Sequence, residues 1–173
     1  MGIGDILYKL LLTINATSWM VIIYTIKEGW APRPLPLLVF GIFLLLIPVV
    51  FSLLSIYFAK FLDDDALLKC QEYSLADNEF LPTYLGYFFL SVSITETSTM
   101  IVVYLIVFVF TYLSQTQYFN PLYLLFGYHY YHILTPLGTR VFVIARGKVI
   151  RNKENISFEH LKRMNDTTYI ERS

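Results

Sequence analysis

Apolar and polar positions in this chain fall into blocks. The longest apolar block covers residues 35–59, LPLLVFGIFLLLIPVVFSLLSIYFA, with no charged side chain. As a helix rising ~1.5 Å per residue it extends ~37 Å, enough to cross a ~30 Å hydrocarbon core with tilt. Read the same way, the chain predicts spans over residues 6–26, 37–59, 80–95 and 98–114. The first span is the most polar. Its Asn15 lies near mid-depth, as an interhelical hydrogen bond or as a polar pore or substrate contact. The second contains Pro48, where a kink is expected. Residues 27–36, KEGWAPRPLP, hold three prolines and a glycine and form a loop, with Trp30 as an interfacial anchor.

Residues 80–114 admit two readings. One long helix would bury Glu96, and an unpaired carboxylate in lipid is expensive. Two short helices turning near 93–98 place it at a hairpin tip, where Ser and Thr compete with the helix backbone for hydrogen bonds. With Thr95, Thr97 and Thr99 it forms a plain tip or the mouth of a pore. Lys and Arg concentrate in the C-terminal tail, which should therefore be cytoplasmic. Four spans then leave only Lys27 and Arg33 outside, whereas three would place Lys9, Lys60 and Lys69 there. Four is the preferred count and three the alternative.

The polar remainder has its own pattern. Within residues 60–79, Asp63 fits the N-cap of a short amphipathic helix using Leu67, Leu68 and Cys70. Residues 118–131 open on Asn120-Pro121, a change of chain direction, followed by an apolar run expected at the membrane surface. YHYYHIL and TRVFVIA flank Thr135-Pro136-Leu137-Gly138 and predict a β-hairpin. A third strand is expected over 148–151, a helix over 158–164 capped by Ser157 with Leu161 and Met164 on one face, and a strand over 167–171. So small a unit has too little core to stand alone and should pack on the membrane domain, a sister subunit or a partner. The fold class is thus an α-helical integral membrane protein, with a transmembrane domain over 1–117 and a small cytoplasmic α+β tail over 118–173.

Composition agrees. Hydrophobic residues make up 56% and charged residues 15%, against a globular norm of ~25% charged, and mean hydropathy is +0.56. A net charge of zero hides −4 over residues 60–79 and +4 over residues 120–173. The single cysteine, Cys70, forms no intrachain disulfide, and no secretory signal peptide is evident.

Candidate chemistry is sparse. P-loop, HExxH, GxSxG and paired CxxC patterns are absent. His129 and His132 point to opposite faces of a strand, which disfavours a metal site. Cys70 has no evident base. Catalytic, cofactor and metal residues are accordingly assigned to none. Arg140, Arg146, Lys148, Arg151 and Lys153 record topology, contact anionic lipid or dock an acidic partner; nucleic acid is the weaker reading. Asp63, Asp64 and Asp65 suit a solvated face or a partner, because adjacent residues on a helix do not converge on a cation. Trp30, Arg33, Glu96 and Asn15 are the candidates for outer-face sensing or a pore.

This layout, with the tail FNPLYLLFGYHYYHILTPLGTRVFVIARGKVIR…LKRMNDTTYIE, resembles the KwaA family, the membrane subunit of the bacterial Kiwa anti-phage system. The likeness rests on overall architecture and on the tail from Phe119 onward. It implies a non-enzymatic inner-membrane sensor that forms a homo-oligomer, with a tetramer as the state considered. It also implies a cytoplasmic effector partner, KwaB, which binds DNA in place of this chain. No individual functional residue is carried over. The competing class is a pore-forming defence effector.

Overall fold

The computed structural model describes residues 3–114, 118–147 and 156–171. The chain divides into two units, Met1–Ser55 with Phe80–Asn120, and Ile56–Glu79 with Pro121–Ser173.

The first unit is built on α1 (Ile3–Lys27), α2 (Leu37–Phe58), α3 (Leu81–Ser93) and α4 (Thr97–Leu113). Helix α1 is its hub. Asn15 bonds Ser52 of α2 at 2.9 Å, Ser91 of α3 donates to the Met20 carbonyl at 2.9 Å, and Thr17 meets Tyr104 of α4 at 3.3 Å. These pairings run α2 and α4 antiparallel to α1, and α3 parallel to it. Helix α1 stops at Gly29, whose φ of 69° only glycine adopts freely. There Gly29 N–H reaches the Ile26 carbonyl and Trp30 N–H the Thr25 carbonyl, the pairing of a Schellman cap.

Residues 94–96 break the stretch that one long helix would have occupied. Glu96 is the exposed N-cap of α4, with φ −97° and ψ 130°. Helix α3 has 13 residues, ~20 Å of helix, and is shorter than the expected 80–95. Two helices, α1 and α2, are long and apolar enough to cross a membrane.

Polarity along α2 is inverted. The buried positions of α2 are Gly41, Pro48, Ser52 and Ser55, while Leu38, Ile42, Phe43, Leu46, Val50 and Leu53 are exposed. A surface helix of a water-soluble protein carries the opposite pattern.

The second unit holds β1 (Asp64–Cys70), β2 (Glu72–Leu75), α5 (Pro121–Leu125), β3 (Tyr128–Leu134), β4 (Arg140–Arg146), β5 (Ile156–Arg163) and β6 (Thr168–Glu171). Strand order is β1-β5-β6-β4-β3-β2, with β4 and β6 parallel and the other neighbours antiparallel. Strands β1 and β2 sit at opposite edges of that order, yet only Gln71 separates them. One bent strand therefore supplies both edges, and the sheet curls into a small, partly open five-stranded barrel of the OB kind. Its interior is Cys70, Tyr131, Ile133, Val141, Val143, Ala145, Phe158, Leu161 and Tyr169. The outer face is also buried, since Tyr123 of α5 stacks on Tyr130 and Tyr130 on Phe142, centroids 6.5 and 5.6 Å apart.

The expected hairpin is present as β3 and β4, paired from Tyr128↔Arg146 to Leu134↔Arg140. Its turn uses Gly138 at φ 79°. The expected strand over 167–171 is β6. Two expectations are corrected. Asp63 caps no helix, because residues 64–70 form strand β1. Ser157 caps none either, because 158–164 falls largely in strand β5. The reason is common to both: β1 and β5 pair with each other, Asp64↔Lys162 through Cys70↔Ile156, and that non-local ladder overrides the local helical signal. The strand expected over 148–151 lies outside the described residues.

Candidate functional site

The sequence candidates fall into three places. At one end of the first unit, the α1–α2 loop meets the α3–α4 turn. Lys27 Nζ donates to the Ile94 carbonyl, and Tyr24 OH lies 3.2 Å from Thr97 Oγ1. Trp30, half exposed, sets its edge on Tyr24 at 5.7 Å. Glu96 lies in the adjoining turn and accepts from Thr99 Oγ1 at 3.3 Å. Arg33 is exposed in the same loop as Trp30. An aromatic ring, a guanidinium and a carboxylate are thus presented at one end of the bundle, on loops that helix packing holds in place.

Asn15 is elsewhere, 1% exposed in the interior. Its Nδ2 donates to Ser52 Oγ at 2.9 Å, as does Asn120 Nδ2 at 2.7 Å, while Ser52 Oγ donates to the Pro48 carbonyl at 2.7 Å. One hydroxyl therefore joins α1, α2 and the segment after α4. Asn15 Oδ1 and Trp19 Nε1 are buried without a hydrogen-bond partner among the described residues. Sequence reasoning singled out Asn15 but missed Ser52 and Asn120. A serine four residues after a proline, in a helix whose other polar side chains are Ser55 and Tyr57, was the available signal.

The third place is the barrel. Arg140 and Arg146 are the two ends of β4, ~20 Å apart at ~3.3 Å per residue, so they do not form one patch. Arg146 lies over the Tyr128 ring at 6.0 Å, and its backbone N–H donates to Glu171 Oε2 at 3.2 Å. Lys148, Arg151 and Lys153 lie outside the described residues. Asp64 and Asp65 open β1, and Asp63 precedes it. Asp63 gives its carbonyl to Arg163 N–H at 2.9 Å, Asp64 pairs with Lys162 at 2.8 Å, and Asp65 Oδ1 accepts from Ala66 N–H at 2.8 Å. Lys162, 6% exposed, was not anticipated; it reads as one more basic residue in LKR until β1 covers it.

The histidines are used locally. His129 Nδ1 sits 2.8 Å from Asp77, whose other oxygen accepts Tyr130 N–H, and His132 Nε2 is 2.9 Å from Glu79. The β3 register puts His129 on the side of Tyr131 and His132 on the side of Tyr130, as strand alternation requires. Among the described residues no three of His, Cys, Asp or Glu are grouped to hold a metal ion. Burial pushes the Cys70 thiol and the Tyr131 and Tyr169 phenols above their ordinary values. That leaves Cys70 protonated and weakly nucleophilic.

No curated protein and no solved structure matches the chain. A family model does: that of the anti-phage protein KwaA matches residues 8–170. The chain belongs to this family.

Proposed function

We propose, from membership in the KwaA anti-phage family, that this chain is a non-enzymatic inner-membrane sensor and scaffold of a defence complex. The four helices α1–α4 cross the bilayer, with the C-terminus cytoplasmic. The Trp30–Arg33 loop and the Glu96 turn face outward. The barrel is the surface that holds a cytoplasmic effector such as KwaB, and the assembly is a homo-oligomer. The observation carrying this reading is the inverted polarity of α2, joined in one chain to a separately cored barrel. A helix that buries glycine, proline and serines and exposes large apolar residues along its length is solvated by acyl chains.

Direct nucleic-acid binding forms no part of the reading. Stacking on bases needs accessible aromatic faces, and Tyr130 and Phe142 on the β3–β4 outer face are covered. The test is co-purification. Arg140→Glu should abolish capture of the effector while the protein still fractionates with membranes. Effector capture at the wild-type level would remove the assignment of that surface.

A second reading, a pore, draws on Asn15 Oδ1, buried in the bundle without a partner among the described residues. It predicts ion flux in vesicles holding the assembled protein, altered by Asn15→Leu. Absence of flux from correctly assembled oligomers would eliminate it.

A further inference from the structure

We propose that a pocket within the second unit, between residues 56–60 and the barrel strands, binds the phosphate headgroup of an anionic membrane phospholipid. This rests on the membrane reading above. The pocket is shallow and open on one side, and it is lined by Ile56, Ala59, Lys60, Tyr128, Lys162, Ile170 and Glu171. Its polar groups come from three strands and the end of a helix, so the fold assembles them where no local motif could.

The charges favour an anion. Lys60 projects from the 3-10 turn Ala59–Phe61, with its ammonium 5.0 Å from the Tyr57 ring centroid. Lys162 Nζ donates to the Leu62 carbonyl at 2.7 Å and to Asp64 Oδ1 at 2.8 Å, and an ammonium has three N–H groups to give. Arg146 stands over Tyr128, a lining residue. Of the charged residues that line the pocket, Lys60 and Lys162 stand against Glu171, an excess of one positive charge. Tyr128 adds a phenol hydroxyl on the wall. A phosphate diester takes such a mixed set of ammonium and hydroxyl donors.

The apolar side identifies the source as lipid. Ile56 and Ala59 give the pocket an apolar wall. Tyr57, Phe58 and Phe61, 52%, 45% and 74% exposed, cluster beside Lys60 with ring centroids 5.6–6.4 Å apart. Aromatics and a lysine at the end of an apolar span are the residues of a bilayer interface. A soluble phosphate would use the cations but not this rim.

The experiment uses the full chain purified in detergent, with bound molecules counted by native mass spectrometry. The probes are phosphatidylglycerol, phosphatidylcholine and inorganic phosphate. The wild type should retain phosphatidylglycerol about fivefold over phosphatidylcholine, and Lys60→Glu should erase that preference. Lys60 is exposed, so the variant folds. Tyr128→Phe, which keeps the buried ring, should reduce retention in the same direction. Equal retention of the two lipids, or an unchanged preference in Lys60→Glu, overturns the proposal. So does displacement of phosphatidylglycerol by millimolar inorganic phosphate, which would reassign the pocket to a soluble anion. Carbonate washing of membranes separates the two levels. Extraction of the wild type would remove the membrane reading itself, whereas a resistant wild type with no lipid preference would remove only the pocket's ligand.

Discussion

Asp64 and Lys162 face each other across the β1–β5 ladder, carboxylate to ammonium 2.8 Å apart, and they are unequally buried: the aspartate side chain is 80% exposed and the lysine 7%. The carboxylate keeps its water and costs little. The ammonium has given up its water, so it depends on Asp64 and on the Leu62 carbonyl. The pair is a pin, fixing the start of β1 to β5.

That asymmetry ranks three substitutions. Asp64→Ala should destabilise the barrel by about 1 kcal/mol, because a half-exposed pair is screened by solvent. Lys162→Ala should cost about 2 kcal/mol, through the orphaned Leu62 carbonyl and the space left behind. Lys162→Met fills the volume without a buried charge and should cost less than Lys162→Ala. Thermal unfolding followed by near-UV circular dichroism measures all three. If Met costs as much as Ala, the charge rather than the packing holds this position.

Gly41 lies in the buried stripe of α2, and a Cβ built there would meet Ile26 Cδ1 at 3.5 Å. That is ordinary contact, so Gly41→Ala should be neutral or slightly stabilising through helix propensity. Gly41→Leu has no room and must push α1 and α2 apart, at about 1–3 kcal/mol. Detergent-phase melting temperatures of the two variants should diverge. Similar values would mean that α1 and α2 do not pack closely there.

What could be read from the residues alone follows the range of the interactions. Helices α1 and α2 announce themselves by length and apolarity, and the Glu96 turn by the cost of burying a carboxylate. The β3–β4 hairpin is a local object, two β-branched and aromatic runs around Pro136 and Gly138. Strands β1 and β5 were hidden for one shared reason. Asp63 looks like a cap and Leu67–Leu68 like a helical face, and Ser157 repeats the illusion, until the two segments find each other across about ninety residues of chain. The same distance hid Lys162, whose burial exists only once β1 lies beside it. The Ser52 junction was legible only in Asn15, because its three contributors are spread over the whole helical unit.

The barrel should be labile to alkali. Burial holds Tyr131 and Tyr169 protonated above their ordinary value of 10.0, and Cys70 above 9.0. In the unfolded chain these groups ionise at the ordinary values. Between the ordinary and raised values the folded state binds more protons, so stability falls as pH rises. Below pH 9.0 the contribution is complete and flat. Tyrosinate absorbance and loss of near-UV dichroism should therefore rise together above pH 10.0. A smooth phenol titration with the dichroism intact would show that these rings reach solvent in the folded protein.

Ser52 decides between the structural and conducting readings of the bundle interior. Its hydroxyl accepts from Asn15 and Asn120 and donates to the Pro48 carbonyl. Ser52→Ala strands two amide donors at once. Single hydrogen bonds between transmembrane helices contribute about 0.6 kcal/mol on average, so the loss should be about 1 kcal/mol of stability. Ser55→Ala is the comparison: its hydroxyl donates to the Ser52 carbonyl on its own helix at 2.7 Å, and its loss should be smaller. If the junction is structural, Ser52→Ala should lower the melting temperature and loosen the oligomer without creating or abolishing conductance. If the polar cluster conducts, the same variant should change ion flux in vesicles even where assembly is preserved. Size-exclusion chromatography beside a flux assay on the same preparation separates the two outcomes.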